Sequence, residues 1–68
     1  MAVRARNQLK GEITDIVLGT VMAHITIRVG ENAIESVITR RSADELNLKK
    51  GDTVTAVIKA TEVLIDKE

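Results

Sequence analysis

The cleanest pattern in the chain lies between residues 21 and 29. Val21, Ala23, Ile25, Ile27 and Val29 alternate with Met22, His24, Thr26 and Arg28, a period of two that predicts a half-buried strand. Gly30-Glu31-Asn32 reads as a turn and residues 33–39 (Ala-Ile-Glu-Ser-Val-Ile-Thr) as a second strand, so 21–39 is predicted to form a hairpin. Ser42-Ala43-Asp44-Glu45 then fits a capping box, with a hydroxyl at the N-cap and a carboxylate three residues on. Leu46 and Leu48 add a little apolar surface before Lys49-Lys50-Gly51-Asp52 breaks the pattern, which predicts one to two turns of helix. Two further strands are expected at 53–59, with Val54, Ala56 and Ile58 on one face, and at 61–65. Residues 4–17 form a long first segment in which Leu9, Ile13, Ile16 and Val17 do not alternate strictly. Gly11 inside it marks a bulge or sharp bend. The expected fold is all-β: an OB-like five-stranded barrel with one short helix between strands 3 and 4. Residues 1–68 form a single domain without repeats, linkers or low-complexity tracts.

Composition changes that picture in one respect. A domain of 68 residues buries only about 60% of the surface its unfolded chain exposes and is marginal alone. Disulfides, metals or partner subunits usually supply the remainder. Cysteine is absent, there is one histidine, and there is no Phe, Tyr or Trp, so the core must be built from Val, Ile, Leu, Ala and Met. Association of subunits is what remains, and a homo-oligomer is expected.

Charge narrows the partners. Ten basic and ten acidic residues balance to zero, which argues against non-specific nucleic-acid binding. An OB-like fold that binds single strands stacks bases on aromatic side chains along a basic groove, and this chain has neither feature. No apolar run approaches the roughly 20 residues of a membrane span. The start, Met-Ala-Val-Arg-Ala-Arg, lacks the apolar stretch of a signal peptide. A cytoplasmic location is expected.

Catalysis has little to work with. His24 lies on the polar phase of its strand, with no Cys and no obvious Ser or Asp pairing, and reads as a surface or interface residue. Asp15, Glu31, Glu35, Asp44, Glu45 and Asp66 are scattered as solvated charges rather than paired as acid and base. The expectation is a binding protein and not an enzyme. Anion binding fits better. A tetrahedral dianion offers only acceptors, so its site must supply Arg, Lys, hydroxyl and backbone N–H donors. Three places qualify: Arg4 and Arg6, two apart and on one face if extended; Thr39 and Ser42 around the helix start; and Lys59, beside Ala60 and Thr61. Each has a plainer reading, respectively a solvated terminus, a helix cap and a strand edge guarded against pairing.

The N-terminal run shifts the balance. Ala5-Arg6-Asn7-Gln8-Leu9-Lys10-Gly11 resembles the Ala-Arg-Asn-Gln-x-x-Gly signature of molbindins, the small molybdenum-pterin-binding (Mop) proteins. Ser36-Val37-Ile38-Thr39, with Ser42 and Glu45-Leu46, is similar to the strand-to-helix passage of that family. Val57-Ile58-Lys59-Ala60-Thr61-Glu62-Val63 is similar to its closing strand. The resemblance implies an OB-like barrel assembled as a hexamer, a trimer of dimers, with the N-terminal strand contributing to a neighbour. It implies molybdate or tungstate as bound ligand, without redox chemistry, held for storage or buffering. It places Arg6 as the anion-binding arginine, Thr39 and Ser42 as hydroxyl donors, Lys59 as the motif lysine and Ala60 as an amide donor. In the family the arginine comes from one subunit and the lysine and hydroxyls from another. One position departs: the serine that commonly precedes Ala-Arg-Asn-Gln, and donates to the anion, is Arg4 here. Arg4 is retained in the expected site as a guanidinium able to reach the same anion. The alternative is an OB-like interaction or assembly module that has lost or changed its oxyanion.

Overall fold

The computed structural model describes residues 6–68. Within them run strands β1 (Asn7–Leu18), β2 (Met22–Val29) and β3 (Asn32–Thr39), helix α1 (Arg40–Glu45), strand β4 (Thr53–Ile58) and a 3-10 turn (Ala60–Glu62). The strands form one antiparallel sheet in the order β3-β2-β1-β4. The fold is all-β and OB-like, and the short helix falls between strands 3 and 4 as expected.

The hairpin follows the alternation closely. Ala23, Ile25 and Ile27 are buried while Met22, His24 and Arg28 are exposed. The β2–β3 register runs from Met22↔Thr39 to Val29↔Asn32, leaving Gly30 and Glu31 as the connection. Gly30 has φ of 61°, the left-handed backbone that a two-residue hairpin loop asks for.

β1 is shared between two partners, and this organises the molecule. Residues 7–12 pair with β4, and residues 12–18 pair with β2. The register with β2 slips by one residue between Ile13 and Asp15, a bulge that sharpens the bend. Of the two features that Gly11 could mark, a bulge or a sharp bend, the bulge falls instead at Thr14. Gly11 serves the bend differently, through close approach. A Cβ placed there would lie 2.4 Å from the Arg28 carbonyl oxygen and 2.8 Å from the Ile27 side chain. Just beyond, Ile13 is fully buried at 0% exposure. Around it gather Ala23, Ile25, Ile27, Ala43 and Ala56, flanked by Ile16, Ile34, Ile38, Leu48 and Val54. This core is wholly aliphatic, and among the described residues no polar side chain is buried in it.

The helix begins earlier than the capping box implied. Thr39, not Ser42, is the N-cap, its Oγ1 accepting from the Ser42 N–H. β3 therefore passes into α1 without a loop, and Ser42 is the third helical residue. At the other end the Asn47 N–H donates to Asp44 O (3.0 Å) and the Leu48 N–H to Ala43 O (3.2 Å). Asn47 takes a φ of 51°, so the exit is a Schellman motif.

The fifth strand expected at 61–65 does not form in the described chain. After β4 the backbone makes its 3-10 turn, and Val63, Leu64 and Ile65 follow without strand pairing. Leu64 and Ile65 are 91% and 89% exposed. The sheet is therefore open, with β3 and β4 as its edges. An apolar concavity opens beside those edges, lined by Ile34, Ile38, Leu46, Leu48, Val54 and Ile58 among others. Three consecutive apolar residues are sound strand formers, but a strand needs a partner, and among the described residues the tail pairs with none.

Candidate functional site

The expected donors fall into two groups set by the ladders of β1. At its first rung with β4, Asn7 pairs with Ile58, and the Asn7 Nδ2 donates to Ile58 O (3.2 Å). Arg6 and Lys59 are the next residues outward on those two strands, so the register sets them across from one another at the sheet's end. Both are exposed. Lys59 is also the N-cap of the 3-10 turn and uses no side-chain cap bond; its carbonyl accepts from the Glu62 N–H (2.9 Å). Ala60 opens that turn, so its N–H has no acceptor inside it. Arg4 lies outside the described residues.

Thr39 and Ser42 stand at the far end. Leu18, the last residue of β1, pairs with Ala23, and the neighbouring rung of β2 pairs Met22 with Thr39. Along the 12 residues of β1 the two groups are separated by about 36 Å of contour at roughly 3.3 Å per residue. The structure thus unites Arg6, Lys59 and Ala60 at one end and Thr39 with Ser42 at the other. The resemblance grouped Lys59 with the hydroxyls; within the chain it groups with Arg6.

The Thr39 end is held by a dense set of local bonds. The Arg40 N–H donates to Val21 O (2.8 Å) and its Nη1 to Gly19 O (3.1 Å), which pins the β1–β2 connection against the start of α1. Arg40 Nε also donates to Asp44 Oδ1 (3.1 Å), one helical turn on. Thr20, Val21, Thr39, Arg40, Arg41 and Asp44 line a shallow open concavity. The first turn of α1 holds no acidic residue and two arginines instead. Cations at the positive end of a helix dipole are locally unfavourable by a few tenths of a kcal/mol, which for Arg40 the i,i+4 pair with Asp44 offsets. Arg40 and Arg41 escaped the sequence reading, which looked for hydroxyls at the helix start; the signal was the run Thr39-Arg40-Arg41-Ser42 itself.

Away from both groups, His24 Nε2 and Glu35 Oε1 meet at 2.8 Å on the outer face of β2 and β3. Among the described residues no cluster of His, Cys, Asp and Glu has the makings of a metal site, and no helix is long and apolar enough to cross a membrane.

Comparison with known proteins bears on what such an arrangement does. Residues 4–65 match the TOBE domain family. Molybdenum-pterin-binding protein 1 of Clostridium pasteurianum is 42% identical over 66 residues, covering 96% of this chain and 97% of that protein. A molybdate-binding protein from Sporomusa ovata superposes with a TM-score of 0.94 at 40% identity, covering 98% of this chain and 100% of its own. ModG, a cytoplasmic molybdate-binding protein with molybdate bound, superposes with a TM-score of 0.83 at 38% identity, over 88% of this chain and 43% of ModG.

Proposed function

From a chain that belongs to the TOBE domain family, and within it to the molbindin (Mop) group of oxyanion-binding proteins, we propose a protein that binds molybdate or tungstate at sites formed between subunits of a homo-oligomer. The observation that carries this reading is the division of the donor set between the two ends of β1. One copy presents cations and an amide, Arg6, Lys59 and Ala60; another presents Thr39 and Ser42. Bringing the ends of two copies together surrounds a tetrahedral dianion with donors alone. Charge-assisted bonds from Arg6 and Lys59 are the strong ones. Hydroxyls and the Ala60 N–H fix orientation, and the ligand undergoes no redox change. Arg4, outside the described residues, is kept as a further cationic donor to the anion. Selection against sulfate rests on size, because the larger ion spans donors that sulfate does not touch together.

Assembly is supported independently by the open sheet. Leu64 and Ile65 are almost fully exposed among the described residues, while the edges β3 and β4 flank an apolar concavity. The tail of one copy supplies the missing fifth strand to another, which satisfies edge N–H and C=O groups and covers aliphatic surface together. We take the assembly to be a hexamer, a trimer of dimers, serving intracellular storage of the oxyanion. A cytoplasmic location follows the description of ModG as a cytoplasmic protein.

Native mass spectrometry with and without molybdate, and with sulfate as control, tests the reading. A hexamer that gains several molybdates and no sulfate is the expected result. A monomer, or equal uptake of sulfate, overturns it. A second reading, a molbindin-like assembly module without this ligand, is favoured by Arg4 standing where the family motif commonly has serine. Its mark is a hexamer that takes up no oxyanion.

A further inference from the structure

The backbone of Lys59 is held on both sides while its side chain is left free. On one side the Ile58 carbonyl accepts from the Asn7 Nδ2 at 3.2 Å. On the other the Lys59 carbonyl accepts from the Glu62 N–H at 2.9 Å. The Ile58 carbonyl belongs to the same planar peptide as the Lys59 N–H, so the Asn7 amide fixes the plane from which Lys59 departs. The Ile58 side chain lines the apolar concavity and anchors the same residue from within. Lys59 itself is exposed, makes no side-chain cap bond and joins no ion pair among the described residues.

The amide stands where such a tie has most effect. Asn7↔Ile58 is the first rung of the β1–β4 ladder, and strand ends open at lower cost than their middles. Asn is a poor strand former, yet Asn7 begins a strand of 12 residues and is half-buried there. The bond across the rung needs a side-chain donor of this reach. Val or Ile has none, and an aspartate carboxylate only accepts.

We propose that Asn7 is a positioning residue for oxyanion binding: its amide clamps the Ile58–Lys59 peptide and so aims the Lys59 ammonium, without touching the ligand. The proposal rests on the oxyanion-binding reading above. The lysine stem keeps its own rotamer freedom, and Asn7 gives that stem a fixed origin. Binding then orders the side chain alone and not the backbone beneath it, which raises affinity without adding a contact to the anion.

The test is a double-mutant cycle on the full-length protein, with Kd for molybdate from isothermal titration calorimetry and Tm at fixed protein concentration. Asn7→Leu replaces the amide with apolar bulk, and Asn7→Ser with a hydroxyl too short to span the rung. Each should weaken molybdate binding about threefold to tenfold, the size of one neutral hydrogen bond, in an assembly of unchanged mass. In the Lys59→Ala background neither should weaken binding further, while the Tm shift that each causes in the wild type should recur in full. A residue that acts through Lys59 is coupled to it in affinity and not in stability; a merely structural one lowers affinity in both backgrounds. Wild-type affinity in both Asn7 variants, or losses that add to that of Lys59→Ala, overturn the assignment. A wild-type protein that takes up no molybdate overturns the oxyanion reading itself, and this assignment with it.

Discussion

The two ends of β1 solve different problems. At the Thr39 end a set of groups is tied to neighbours: Thr39 to Ser42, and Arg40 to Val21, Gly19 and Asp44. At the Arg6 end the two cations are exposed, and Lys59 caps its turn without using its side chain. On the proposed reading, one end supplies hydroxyls whose geometry is fixed beforehand, and the other supplies exposed cationic side chains. Fixed hydroxyls discriminate by shape, whereas long cationic side chains contribute attraction that tolerates displacement. In a site built from both ends, separating the two on one chain would make specificity and affinity separately adjustable, with neither end sufficient alone.

The largest expected effect comes from keeping the two ends of different copies apart. Replacing Leu64 and Ile65 together by glutamate puts charge on the segment proposed as the exchanged strand. Sedimentation velocity should then show monomers or small species in place of the hexamer, with molybdate uptake lost. An intact hexamer would show that the tail plays no part in assembly. Next in size is the joint between the ends. Gly11→Ala forces the new methyl against the Arg28 carbonyl and should destabilise by about 1–3 kcal/mol, as overpacking does, read as a lowered Tm at fixed protein concentration. Lys59→Ala tests the charged end alone. It should weaken molybdate binding about tenfold, some 1.4 kcal/mol, with Tm and assembly unchanged, because the side chain is exposed. The smallest effect is expected outside both ends. Glu35→Gln removes the exposed partner of His24 and should alter stability by under about 1 kcal/mol, as surface pairs do, without altering molybdate affinity.

Legibility in the sequence followed how local each structure is. The hairpin 21–39 was readable nearly to the residue, because alternation of Ala23, Ile25 and Ile27 with His24 and Arg28 is both cause and signature of a strand buried on one face. The helix was readable, its cap was not: Thr39 and Ser42 are both hydroxyl residues three apart, and only the backbone decides which receives the other's N–H. The bend in β1 was anticipated from Gly11, but the bulge depends on how two ladders share one strand, which no window of sequence contains. The fifth strand was misjudged for the opposite reason. Val63–Ile65 has the local propensity, and what it lacks within the described chain is a partner. For the proposed site, motifs single out Thr39, Ser42, Arg6, Lys59 and Ala60 as candidates, but their separation into two groups follows from register alone.

The division of donors along β1 has a consequence for gene dosage. If each site is completed by a second copy, the number of sites follows mass action in the chain and not simply its amount. At low expression, capacity for the oxyanion rises more steeply than protein level, and it becomes proportional once assembly is complete. A cell making few copies then has almost no sink for a scarce nutrient, leaving it to the enzymes that need it. Abundant expression gives a reservoir, so the threshold between the two regimes is set by the strength of the subunit contact.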